Sequence, residues 1–188
     1  MLTHYLDIHL RPDPEFPANQ LLAALYAKLH RALVQLHSED LAASFPGYSD
    51  KPLGLGQTLR LLGTEERLRQ LMALPWLSGM ADHVQVSAAA TVPADAAHRQ
   101  LSRVQAKSSP ERLRRRQMKR HGLTAEQARE RIPDSAAESL KLPFLQVRSA
   151  STGQSFMLFL RLGPHCPAVV AGGFNAYGLS TTATTPWF

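Results

Sequence analysis

The chain has a single cysteine, Cys166, in 188 residues, so no internal disulfide can form and a zinc site built on several thiolates is excluded. A reducing compartment is the natural setting for such a composition. No run comes near the roughly 18 consecutive apolar residues of a membrane span, and the opening MLTHYLDIHLRPD lacks the basic-then-apolar order of a secretion signal. These absences predict a cytoplasmic protein without membrane contact. The motifs of metal chemistry are missing too. There is no H-E-x-x-H and no cysteine pair, His165 beside Cys166 is a poor chelating arrangement, and the 15 acids are scattered without D-x-D clustering. Neither a zinc hydrolase nor a two-metal nuclease is expected, and no metal or cofactor is predicted.

Acidic residues are scarcest in one place. Between residues 99 and 120 there are nine Lys and Arg and one acid, Glu111, a local balance of +8 in a chain whose formal net charge is +6. The remainder is slightly acidic, so this one segment makes the protein basic and points to a polyanionic partner. RQLSRVQAK alternates as a strand. SSPERLRRRQMKRHG then reads as a helix, with Ser109 as cap, Pro110 in the first position and Gly122 closing. At about 100° per residue, Arg112, Arg115, Arg116, Lys119 and Arg120 fall within an arc of about 140°, a stripe rather than a ring. With Glu111 the one acid placed to pair at i,i+4, the stripe is better suited to phosphates than to a self-neutralised surface.

With 44% hydrophobic residues, the chain has ample material for a packed core. Before residue 90 its order is strand (HYLDIHL), helix (LLAALYAKLHRALVQL), strands (AASF, QTLRLL), helix (TEERLRQLMAL) and strand (HVQVS). This βαββαβ order predicts an α+β protein with a ferredoxin-like, RNA-recognition-type N-terminal domain over residues 1–92. AAATVPADAAH, 88 to 98, reads as a linker. Residues 93–188 are then a second domain with the basic helix, a helix over AEQARERI boxed by Thr124 and Gln127, and a hairpin in FLQVRSASTGQSFMLFLRL. Residues 163–171 read as a loop.

Candidate chemistry is sparse. His30 stands beside the apolar stripe Leu22, Leu25, Leu29, with Tyr26 one turn earlier, and composition leaves open whether it is structural or catalytic. RNA carries its own nucleophile in the 2′-hydroxyl, so a base, a few hydroxyls and cations suffice to cleave it. Such parts occur in RSAST, in Tyr177 and in His30. Phe156 and Phe159 point to opposite faces of one strand, so at most one need be core; the residues alone favour core packing for either, and an exposed one could stack on a base.

Taken in order, HYLDIHLRPDPEFP, AKLH with His30, SRVQAKSSPERLRRRQMKRHGL, IPD, LPF, RSASTGQSF, GGF, YGLS and PWF resemble the type I-F CRISPR repeat-cleaving endoribonucleases, the precursor-processing enzymes of the Csy system. The resemblance implies cleavage of the repeat hairpin at the 3′ base of its stem, without metal, with the product retained. It implies His30 as general base toward the 2′-hydroxyl, Ser149 positioning the ribose, Tyr177 orienting the histidine and Ser151 lining the same site. It further implies Arg103 and Gln105 reading base edges and Phe156 stacking beneath the stem. Arg115, Arg116, Lys119, Arg120 and His121 would line the groove, next to Arg112 of the same stripe. The implied partners are CRISPR repeat RNA and the other subunits of a type I-F surveillance complex. Two other readings use the same residues: a non-catalytic hairpin-binding subunit of such a complex, and a basic DNA-binding or ribosomal-type domain.

Overall fold

The computed structural model describes residues 1–105, 110–133, 140–148 and 153–188. Strand β1 (His4–Leu10) alternates, burying Leu6, Ile8 and Leu10 on one face, as a period of two requires. A loop held by Asp13 follows, its carboxylate accepting from the backbone N–H groups of Glu15 and Phe16 at 2.8 and 2.9 Å and meeting His83 Nδ1 at 2.9 Å. Helix α1 (Ala18–Gln35) begins three residues before the apolar periodicity does, because Pro17 sets a turn whose carbonyl accepts from Gln20 and Leu21.

Strands β2 (Ala42–Ser44) and β5 (Thr58–Gly63) bracket a small hairpin of β3 (Ser49–Asp50) and β4 (Leu53–Gly54). Helix α2 (Glu65–Ala73) is capped by Thr64, whose hydroxyl accepts from Arg67 N–H at 3.2 Å, with Glu65 and Glu66 in the first turn where the helix dipole favours acids. A 3-10 turn (Pro75–Leu77), β6 (Val84–Val86) and β7 (Ala90–Thr91) follow. The first sheet is antiparallel in the order β2-β5-β1-β6, with β7 also pairing on β1.

A second antiparallel sheet comes from β8 (Ala97–Val104), β9 (Phe144–Arg148), β10 (Ser155–Cys166) and β11 (Thr185–Trp187), in the order β11-β8-β10-β9. Helix α1 packs against β1 and β5 on one side and against β9 on the other. Its Leu22, Leu25 and Leu29 therefore share one continuous core with Leu6, Ile8 and Leu59 of the first sheet and Leu145, Leu158 and Leu160 of the second. Burying a helix from two sides explains why its apolar face is so wide. Phe174 and Ala183 cover the outer face of the first sheet together with Leu62. On that face Arg60 lies opposite Asp7 in register and grips it bidentately, Nε to Oδ1 at 2.7 Å and Nη2 to Oδ2 at 2.8 Å.

By contacts the chain divides into two units, Met1–Val104 with Leu142–Phe188, and Gln105–Lys141. The stretch read as a linker enters both sheets: β7 pairs with β1, Val92 N–H donates to Thr3 at 2.9 Å, and β8 starts at Ala97. The segment read as a loop from 163 corrects in part, since β10 continues to Cys166. A register shift between Leu162 and His165 accommodates Gly163 and Pro164, as a bulge does when a proline cannot donate.

The second unit holds α3 (Pro110–His121) and α4 (Ala125–Arg131). Gly122, at φ +62°, ends α3 with its N–H on Met118 O at 2.9 Å, a left-handed closure that glycine adopts freely. Thr124 and Gln127 form the expected capping box on α4. The cap assigned to Ser109 and the turn of the β9–β10 hairpin lie outside the described residues.

Candidate active site and basic helix

Tyr26 and His30 sit four residues apart on α1, hence on one face. Both reach the same short turn, residues 175 to 178. His30 Nδ1 lies 2.7 Å from Ala176 O, and Tyr26 Oη donates to Tyr177 O at 2.6 Å. The next carbonyl, of Gly178, accepts from Ala43 N–H of β2 at 2.8 Å. Three consecutive carbonyls are thus held by α1 twice and by the first sheet once. The Asn175 side chain ties the turn from within, its Oδ1 accepting from Tyr177 N–H at 2.9 Å and Leu179 N–H at 3.3 Å. Gly178 has φ +69°, and a Cβ there would lie 2.7 Å from Ala43 N. Only glycine meets both the backbone geometry and the close approach to β2.

A carbonyl can only accept, so Nδ1 of His30 carries the hydrogen and, in the neutral ring, Nε2 is left with a lone pair for an incoming proton. The ring is half-buried and stacks flat on Tyr177, centroids 3.9 Å apart and planes within 2°. Tyr26 lies near-parallel to Tyr177 at 6.2 Å. Burial, and secondarily the neighbouring Tyr177, push the Tyr26 phenol well above its ordinary value against a smaller opposing pull from Arg103. The phenol therefore stays a neutral donor, as its bond to a carbonyl requires.

Arg103 of β8 and Phe156 of β10 complete this neighbourhood. The Arg103 guanidinium lies 5.2 Å from the Phe156 ring centroid and 5.8 Å from that of Tyr177. Among the described residues nothing accepts a hydrogen bond from its buried Nε, an unpaired donor that a ligand acceptor would relieve. Phe156 is half-buried against the core, whereas Phe159 is 9% exposed and packs on Phe144. The structure thus brings together His30, Tyr177, Arg103 and Phe156. Ser149 and Ser151 lie outside the described residues. Arg148, just before them, donates from Nε to Gly153 O at 2.9 Å.

In the other unit Gln105 is exposed, and α3 buries none of its side chains. Arg112, Arg115, Arg116, Lys119, Arg120 and His121 are exposed. Arg114 lies on the far side of the helix from the basic stripe and donates from Nε to Ile132 O at 2.8 Å, tying α3 to the end of α4. Among the described residues no three His, Cys, Asp or Glu side chains gather to hold a metal ion, and no helix is long and apolar enough to cross a membrane.

Reasoning on the sequence missed the carbonyl of Ala176, Asn175 and the bond made by Tyr26. A main-chain acceptor leaves no mark in a sequence. Only the i,i+4 spacing of Tyr26 and His30 hinted that they share a target.

A half-buried histidine held on a main-chain carbonyl and a separate helix of exposed cations mark this α+β protein. Over residues 5–188 the chain matches the model of the CRISPR-associated protein family Cas_Csy4, and it belongs to that family. It is 52% identical to a CRISPR-associated endonuclease Cas6/Csy4 of Pseudomonas aeruginosa (strain UCBPP-PA14). It is 46% identical to a protein of the same name from Escherichia coli (strain UTI89 / UPEC). Both comparisons run over 187 residues and the whole length of each chain.

Proposed function

We propose that this chain is a metal-independent endoribonuclease that recognises the CRISPR repeat hairpin and cuts precursor CRISPR RNA at the 3′ base of the stem, staying bound to the guide. The observation that carries this reading is the fixed His30 tautomer, Nδ1 on Ala176 O at 2.7 Å, which leaves Nε2 as a base. Nε2 takes the proton of the 2′-hydroxyl, the 2′-oxygen attacks the adjacent phosphorus, and the 5′-oxygen leaves, acquiring a proton from solvent. The products are a 2′,3′-cyclic phosphate and a 5′-hydroxyl, and the imidazolium returns its proton to water. The nucleophile belongs to the RNA, so no step needs a metal.

The other roles follow the family resemblance. Ser149 positions the ribose, Ser151 lines the site, and Tyr177 holds the imidazole plane by stacking. Arg103, whose Nε has no partner among the described residues, and Gln105 read base edges, and Phe156 stacks beneath the last base pair. Arg112, Arg115, Arg116, Lys119, Arg120 and His121 face the stem. Residues 1–92 supply the base, and residues 93–188 supply the RNA contacts and the rest of the site. The strand order β2-β5-β1-β6, interleaved with α1 and α2, supports the ferredoxin-like reading of the N-terminal part. A cytoplasmic setting and assembly with the subunits of a type I-F surveillance complex complete the proposal.

The test is cleavage of the host repeat hairpin in excess EDTA by the protein and by His30→Ala. The expected result is a single cut by the parent, giving cyclic phosphate and 5′-hydroxyl ends, and none by the variant. A 5′-phosphate with a 3′-hydroxyl would overturn the mechanism. Tight binding without cutting by the parent would make this a hairpin-binding subunit.

A further inference from the structure

We infer that Tyr26 is a positioning residue: through its hydroxyl on the Tyr177 carbonyl it holds the 175–178 turn so that the preceding carbonyl fixes His30 in its Nδ1–H tautomer. The inference rests on the reading of His30 as general base. It extends the role of the turn from the Tyr177 ring to the main chain, and it brings in Tyr26 and Asn175, which have no part in the family resemblance.

The geometry is that of an orienting dyad in which a peptide carbonyl takes the place usually filled by a carboxylate. A carboxylate would stabilise an imidazolium strongly. A neutral carbonyl fixes the tautomer with less attraction for the charged form. A carbonyl can orient a ring only if its own peptide plane is held. Here the plane between Ala176 and Tyr177 is held by Asn175 Oδ1, which accepts the Tyr177 N–H at 2.9 Å. The next plane is held by Tyr26 Oη on Tyr177 O at 2.6 Å and by Asn175 O, which accepts the Gly178 N–H at 2.7 Å.

Tyr26 is fully buried, so no water is on hand to replace its hydroxyl. Its neighbour Phe45 packs on the ring at 5.5 Å, an apolar contact that phenylalanine at position 26 preserves. Removing the oxygen alone therefore leaves the core filled and one buried carbonyl without its partner. The Tyr177–Gly178 plane then keeps only its bond to Asn175 O, and the Ala176 carbonyl next to it is held less firmly on its line to Nδ1.

The experiment is ¹⁵N NMR of the imidazole nitrogens of His30 in the RNA-free protein, for the parent, Tyr26→Phe, Asn175→Ala and Asn175→Asp. It is joined to single-turnover cleavage and hairpin affinity for each. In the parent the signals are expected to show a protonated Nδ1 and a pyridine-like Nε2. In Tyr26→Phe and Asn175→Ala the two nitrogens should move toward an averaged mixture of tautomers, with the cleavage rate down about tenfold and affinity unchanged. Asn175→Asp keeps both acceptor bonds and should retain the parental tautomer. Asn175 is exposed, so that pair reports even if Tyr26→Phe fails to fold. An unchanged Nδ1–H signature in Tyr26→Phe, or in Asn175→Ala if Tyr26→Phe fails to fold, would overturn the inference whatever the cleavage rate. A shifted tautomer with undiminished cutting would support the positioning and sink instead the role of His30 as base.

Discussion

Helix α1 buries eight of its residues between two sheets, whereas helix α3 buries none. The first carries one half-buried histidine whose ring is bonded on one nitrogen and stacked on one face. The second carries a row of exposed cations. On the function proposed above, the difference follows from what each helix does. Proton transfer depends on a lone pair held at a fixed angle, which demands desolvated neighbours with no freedom to turn. Attraction to a polyanion is long-ranged and tolerant of angle, and it is strongest from side chains left in water beside their target.

The sharpest way to break this comparison is His30→Ala. It should slow cleavage by about 10² to 10⁴-fold while leaving the hairpin dissociation constant within about threefold, since a single side chain outside the basic stripe adds little to phosphate attraction. Single-turnover kinetics and filter binding read the two quantities, and a parallel loss of both would mean that the two helices do not divide the work. Arg116→Ala is the mirror test. Affinity should fall on the order of tenfold and the slope of log K against log salt should shrink by about 1, with the rate at saturating protein nearly kept.

Arg114 sharpens the contrast inside α3 itself. Its bond to Ile132 O makes it a structural cation on a helix whose other cations are exposed. Arg114→Ala should speed amide exchange across residues 110–132 by the equivalent of about 1 kcal/mol, and it should weaken hairpin binding less than Arg116→Ala does.

The smallest effect belongs to the entry of α1. Backbone N–H bonds from Glu15 and Phe16 hold the Asp13 carboxyl below its ordinary value of 3.8, with His83 adding to the effect. A depressed carboxyl contributes stability above its unfolded value and loses it as pH falls through the folded one. Exchange protection of the Glu15 and Phe16 amides should therefore weaken only below about pH 3.8, while Asp13→Asn should leave that window flat.

Much of this was legible in the sequence wherever local chemistry decides the outcome. Thr124 with Gln127 marked α4, Pro110 and Gly122 bracketed α3, and the alternation of HYLDIHL marked β1. The stripe separated from Arg114 by angle alone. Legibility failed where distant chain decides. AAATVPADAAH has a linker's composition but is recruited by the free edge of β1, and β10 outruns its Gly-Pro signal because β8 offers a partner through Cys166. Of the site, the residues bearing chemical groups could be named, but the main-chain frame around His30 could not.

The bond between His30 and Ala176 spans 146 positions of sequence. A chain emerging from the ribosome presents the histidine 146 positions before its carbonyl. Until that late segment docks, the imidazole can exchange freely between its two tautomers. The fixed tautomer is therefore a property of the assembled fold, and a polypeptide ending before residue 176 would hold the histidine without the carbonyl that orients it.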